Sequence, residues 1–183
     1  MTTPLDDETL AAQARAEENS FAELYRRYVT QVYRYHIVHI GNVKDAEDLT
    51  SQTFMAAMDG IARYRREGTF AAWLMGIARR QMAQFFRRRK TEMPLDEVSN
   101  LPAALMPVDL MVSRRISFQQ AREALKKLSE ERAEAIILCV FSGLSLADTA
   151  RTLGKSEAAV KMLISRGLQD LRTRSLLALE VEL

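Results

Sequence analysis

Apolar residues recur at helical spacing along almost all of this 183-residue chain, and the pattern fails over one stretch that holds three of its four prolines. Residues three, four and seven apart share one face of a helix, so such spacing predicts amphipathic helices and leaves no sustained two-residue alternation for a half-buried strand. Phe21, Leu24, Tyr25, Tyr28, Val32 and Tyr35 fall on one face, with Ser20 and Glu23 as a capping box and Gly41 as the stop. Asn42 can cap a second helix, whose stripe is Ala46, Leu49, Thr53, Phe54, Ala57, Met58 and Ile61. Thr69 opens a third, with Phe70, Trp73, Leu74, Ile77, Gln81 and Phe85 inward. Between these two helices, Gly60 and the charged segment 63–69 break the pattern.

Pro94, Pro102 and Pro107 fall within 14 residues, and proline spacing of this kind prevents a continuous helix. The expected organisation is therefore two small all-α domains, 1–90 and 113–183, joined by an extended Pro-containing linker at 91–112. In the second domain Phe118, Ala121, Leu125 and Leu128 form one stripe. Ser129 caps a helix with Ala133, Ile136, Ile137, Val140 and Phe141 inward, which Gly143 stops. Ser145 caps a short helix carrying Leu146, Ala150 and Leu153. After Gly154-Lys155, Ser156 caps a longer helix with Val160, Ile164, Gly167 and Leu171 inward. A short helix, a tight turn and a longer helix with basic outward residues make a helix-turn-helix.

Charge is unevenly distributed. The formal net charge is +2, yet residues 1–62 carry ten acidic against five basic groups, and residues 63–90 carry nine basic groups against Glu67 alone. Residues 151–174 hold six basic groups against Glu157 and Asp170. Two separated cationic stretches suit a chain that grips a polyanion at two places. The macrodipole offers another reason for Arg87–Lys90 at a helix C-terminus, but none for Arg63, Arg65 and Arg66 in a loop. Aromatic residues interleave the first stretch, and exposed rings beside cations can stack on unpaired bases. Spacing leaves Tyr64 and Phe86 as the rings available for this, since Phe70, Trp73 and Phe85 fall on the core face.

Other chemistries are poorly served. A lone Cys139, which reads as a core residue, excludes an intramolecular disulfide and a cysteine-cluster metal site. His36 and His39 share a helix without further nearby ligands, which favours packing or solvent roles over a metal. Gly-rich phosphate loops and nucleophile elbows are absent from the sequence. The acidic N-terminus lacks the order of a signal peptide, and no apolar run is long enough to span a bilayer. The expectation is a soluble cytoplasmic protein without catalytic site, cofactor or metal.

Particular residues carry a family resemblance. Phe21, Leu24, Tyr25 and Tyr28, then Asp45, Glu47, Asp48 and Leu49 with Thr53-Phe54, then Trp73-Leu74, Ile77-Ala78-Arg79 and Arg87-Arg88-Arg89 resemble the first domain of bacterial sigma factors. Leu144-Ser145-Leu146, Thr149-Ala150, Leu153-Gly154, Ser156 and Val160-Lys161 resemble their C-terminal helix-turn-helix. Two domains and a short linker, covering about 20–175, are similar to the extracytoplasmic-function type. The resemblance implies a promoter-specificity subunit that binds core RNA polymerase, at the clamp of the largest subunit and at the flap, and helps open promoter DNA. It implies clamp contacts from Asp45, Glu47, Asp48, Leu49, Gln52 and Thr53. It implies −10 element contacts from Arg63, Tyr64, Arg65, Arg66, Arg79, Arg80, Gln84, Arg87 and Arg88. It implies −35 element contacts from Lys155, Ser156, Glu157, Ala158, Lys161, Met162, Ser165 and Arg166. An anti-sigma factor is a further implied partner. The sequence departs from the family pattern at Ser51-Gln52 (usually Gln-Glu), Arg80 (Asn), Gln84 (Asp), Leu163 and Leu168 (frequently Arg) and Gly167 (Ala). The residues alone leave two other functions open: an autonomous helix-turn-helix regulator, and a sigma-like adaptor serving protein partners.

Overall fold

The computed structural model describes residues 5–92 and 118–181, and it is helical with no strand among them. The chain divides into two compact units, Met1–Asn100 and Leu101–Leu183. The three clustered prolines lie outside the described residues.

The first unit contains α1 (Asp7–Gln13), α2 (Glu18–Ile40), α3 (Val43–Gly60) and α4 (Phe70–Glu92), with a 3-10 turn at Ile61–Arg63. Helices α2, α3 and α4 pack on one another around Leu24, Val32, Ala46, Phe54, Phe70, Leu74 and Met75, all buried. Gly41 ends α2 with a left-handed φ of 77°, and its N–H donates to Ile37 O at 2.8 Å. The Asn42 side chain then accepts from Asp45 N at 3.0 Å, so the stop of α2 and the cap of α3 are consecutive residues.

Three details depart from the sequence reading. Helix α1 was not expected, although Asp6 caps it by accepting from Thr9 N at 2.8 Å. No capping box forms at Ser20: α2 begins at Glu18, Ser20 is buried inside it, and Glu23 instead pairs with Arg26 and Arg27. Tyr25 and Met58, both placed inward by periodicity, are exposed at the edges of their stripes.

The second unit contains a helix through 118–126 (α5), then α6 (Glu130–Ile136), α7 (Leu146–Leu153) and α8 (Glu157–Val181). Its core gathers Leu125, Ala135, Ile136, Leu138, Leu144, Ala150 and Val160. Residues Ile137–Phe141 form a π turn in which Ser142 N–H donates to Ile137 O, five residues back, at 2.9 Å. The wider turn inserts one residue into the helical register. That corrects the inward assignment of Val140, which is exposed while Leu138 is fully buried, and it leaves Cys139 half-buried rather than in the core. Gly143 (φ 73°) and Gly154 (φ 64°) take left-handed conformations at the two turns. Ser145 accepts from Asp148 N at 3.0 Å and Ser156 from Ala159 N at 3.2 Å, so both helices of the helix-turn-helix carry the expected caps.

Candidate nucleic-acid interface

The first cationic surface is built from the loop 63–69 and the outer face of α4. Arg63, Arg65, Arg66, Arg80, Gln84, Arg87 and Arg88 are exposed, and Arg79 is half-buried. Arg63, Arg65, Arg80 and Arg88 form no ion pair with another described residue. Arg89 is committed within the unit: its guanidinium lies 3.5 Å from Asp45 of α3 and 5.7 Å from the Phe85 ring centroid. Phe86 is 45% exposed among these arginines, edge-on to Phe85.

Tyr64 is not an exposed ring. It is 3% exposed, packed against Phe70 and Trp73 with ring centroids at 5.9 and 5.2 Å. Its hydroxyl has two acceptors, a Glu8 carboxylate oxygen and Gly68 O, the latter at 2.9 Å. Burial first, then the Glu8 carboxylate, push the phenol pKa above its ordinary value. The sequence places Tyr64 in a polar loop, and nothing local shows that α1 closes over it. Arg66 stands at φ 58°, the one described non-glycine residue with positive φ. That conformation costs roughly 1–2 kcal/mol for a residue with a Cβ.

On α3, Glu47, Asp48, Ser51 and Gln52 are exposed along one face, and Asp45 is half-buried against Arg89. Leu49 and Thr53 are buried. Thr53 Oγ1 donates to Leu49 O at 2.7 Å and accepts from His36 Nε2 at 3.0 Å, so neither residue is placed to meet a partner. Their motif positions fall on the helix's core stripe. Met55, 63% exposed, extends the outward face, and sequence reasoning passed over it because it lies off the apolar stripe. Beside this face a groove of about 350 Å³ runs between α2 and α3, lined by Tyr25, Val29, Tyr33, Glu47 and Ser51 among others.

The second cationic surface is the N-terminal half of α8. Ser156, Glu157, Ala158, Lys161, Met162, Ser165 and Arg166 are all exposed, while Val160 is fully buried. Lys155 is half-buried, with Nζ 2.7 Å from Glu131. Leu163, at a position of frequent arginine, packs with Leu146, Leu153 and Ile164 against the core of Ala135, Ala150 and Val160. Only Leu168 of the two departures is outward. Gly167 is buried where α8 meets α6: a Cβ there would lie 2.7 Å from Ile136 Cδ1 and 3.4 Å from Arg132 Cβ. One turn along, Arg132 pairs with Asp170.

Among the described residues, no three His, Cys, Asp or Glu side chains gather as a metal site, and no helix is long and apolar enough to cross a membrane. The sigma-70 region 2 family model matches residues 24–92, and the sigma-70 region 4 model matches residues 118–171. The ECF RNA polymerase sigma factor BldN of Streptomyces coelicolor is 34% identical over 166 residues, which are 88% of this chain. This chain belongs to the extracytoplasmic-function sigma factors. It spans 63% of the length of BldN. Among solved structures, the CnrH chain in complex with the cytosolic domain of CnrY aligns with a TM-score of 0.67 at 25% identity, over 91% of this chain and 95% of that one. The sigma factor RpoE of Bartonella quintana, in complex with the anti-sigma factor NepR, aligns at 0.64 and 26% identity, over 84% and 94%. In this sigma factor the region 2 match contains α3 and the basic face of α4, and the region 4 match contains the helix-turn-helix.

Proposed function

We propose that this sigma factor directs core RNA polymerase to particular promoters and assists their opening, with no catalytic site of its own. The observation that carries the reading is the pairing of two separately folded cationic surfaces, one on a helix-turn-helix and one on an aromatic-bearing helix and loop. Helix α8 suits the major groove of duplex DNA, where Ser156, Glu157, Ala158, Lys161, Met162, Ser165 and Arg166 would face the −35 element. The α4 face, with Arg63, Arg65, Arg66, Arg80, Gln84, Arg87, Arg88 and the exposed Phe86 ring, suits an unpaired −10 strand. Preferential binding to the separated strand shifts a closed complex toward an open one. The outward α3 residues Glu47, Asp48, Gln52 and Met55 form the surface offered to the polymerase clamp. The protein then works in the cytoplasm, where polymerase and chromosome are. Because both solved relatives are held by a protein partner, one of them named an anti-sigma factor, a partner of that kind is proposed here as well.

Transcription in vitro with core polymerase on a pool of genomic fragments tests this. The expected result is a defined set of new start sites that depends on the added chain. Unchanged start sites would remove the reading, and tight duplex binding without polymerase would favour an autonomous regulator.

A further inference from the structure

Loop 63–69 carries three arginines, yet like charges so close in sequence repel and do not by themselves choose a conformation. The loop is bonded to a residue 56 positions before Tyr64 and 62 before Phe70: Glu8 Oε2 accepts from Tyr64 OH, and Glu8 Oε1 accepts from Phe70 N–H at 3.1 Å. The first ties the middle of the loop. The second occupies a helix N-terminal N–H that has no partner within its own helix. Arg15, also outside the loop, donates from Nη2 to Tyr64 O at 2.7 Å, and Arg66 Nε stands 4.0 Å from the same Glu8 oxygen. An acidic first turn is often no more than a favourable charge at the positive end of its own helix. Glu8 does more than that, since both its oxygens are spent on the loop and on α4.

We propose that Glu8 is the positioning residue of loop 63–69, holding it in the one shape that turns Arg63, Arg65 and Arg66 outward toward the separated DNA strand. The inference rests on the proposed function for its consequence, but its physical half is independent of that function. Without the carboxylate, the Tyr64 hydroxyl keeps only Gly68 O as an acceptor, and Arg66, at its positive φ, loses its ion-pair partner.

The chain contains one tryptophan, Trp73, whose ring lies 5.2 Å from that of Tyr64, so its fluorescence reports on the loop in the full-length protein. Glu8→Ala should raise acrylamide quenching of Trp73 at least twofold. With core polymerase it should reduce open-complex formation at least fivefold, read by permanganate reactivity of unpaired thymines, while competition for core polymerase changes less than twofold. Glu8→Gln should restore most of both signals: its amide oxygen can still accept from Phe70 N–H, and its amide N–H can donate to a Tyr64 hydroxyl turned to Gly68 O. Unchanged Trp73 quenching in Glu8→Ala overturns the inference, as does altered quenching with undiminished opening. Equal loss in Ala and Gln variants, or lost polymerase binding, reduces Glu8 to general stability and also overturns it. A wild-type chain that opens no promoter sinks the proposed function instead, and the quenching result still decides whether Glu8 fixes the loop.

Discussion

His36 shows how far a single residue's role can depart from its chemical reputation. The Thr53 hydroxyl gives its proton to Leu49 O, so His36 Nε2 must be the donor to Thr53, and Nδ1 is a buried acceptor with no described partner. Burial, then the neighbouring His39, lower the pKa to about 3. The folded state therefore binds the proton later than the unfolded chain does. Stability from this residue is complete above the ordinary histidine pKa, about 6.5, and is lost at about 1.4 kcal/mol per pH unit as pH falls toward 3. Urea titrations should show about 2 kcal/mol less stability in the first unit at pH 5 than at pH 6.5, a difference that His36→Gln should flatten. Gly167 makes a second residue-scale case. On propensity alone Gly167→Ala gains about 1 kcal/mol of helix stability. The added methyl would meet Ile136 Cδ1 at 2.7 Å, so that side-chain end must turn aside although Ile136 is buried, and overpacking that this cannot relieve costs about 1–3 kcal/mol. The expected outcome is a lower melting temperature for Gly167→Ala in the wild-type background. In an Ile136→Val background, which lacks the clashing atom, the same change should be neutral or stabilising.

At the scale of elements, periodicity and capping chemistry were sufficient to find α2, α3, α4 and the helix-turn-helix, because each has an apolar stripe and a terminal residue whose geometry is local. What they did not yield has a common cause. Helix α1 is one short turn pair held by tertiary contacts, Arg27 and Tyr28 of α2 reaching Asp7, and the burial of Tyr64 depends on Glu8. Leu49 and Thr53 sit in a motif whose outward members are Glu47, Asp48 and Gln52; a motif names a helix, and only the stripe says which of its residues are accessible. On α8, the seven outward positions expected at 156–166 are all exposed, which fits the regular phase of a capped helix. Their test is ionic. Lys161→Ala and Arg166→Ala should each weaken promoter binding by the polymerase complex and reduce the slope of log affinity against log salt by about 0.9. Lys155→Ala should change that slope less, because Lys155 already faces Glu131.

For the whole molecule, the balance of charge matters more than its total. Within a net charge of +2, the acidic 1–62 segment offsets five of the eight net positive charges of 63–90. A chain so balanced should have little affinity for DNA in general and should rely on polymerase to present both units at once. Fluorescence anisotropy at physiological salt should find promoter duplex bound roughly 100-fold more tightly when core polymerase is present, the scale expected when a second binding event becomes intramolecular. Comparable affinity without polymerase would contradict this. The π turn at Ile137–Phe141 adds a different property to the molecule. A helix that already houses one surplus residue has slack in its length. Deleting the outward Val140 would let it close with ordinary α spacing, leaving Leu138 seated and the Ser145 cap in place. The chain lacking Val140 is therefore expected to keep the wild-type melting temperature and the wild-type promoter affinity of its polymerase complex, measured by thermal unfolding and anisotropy; a loss of either would show that the surplus residue is needed.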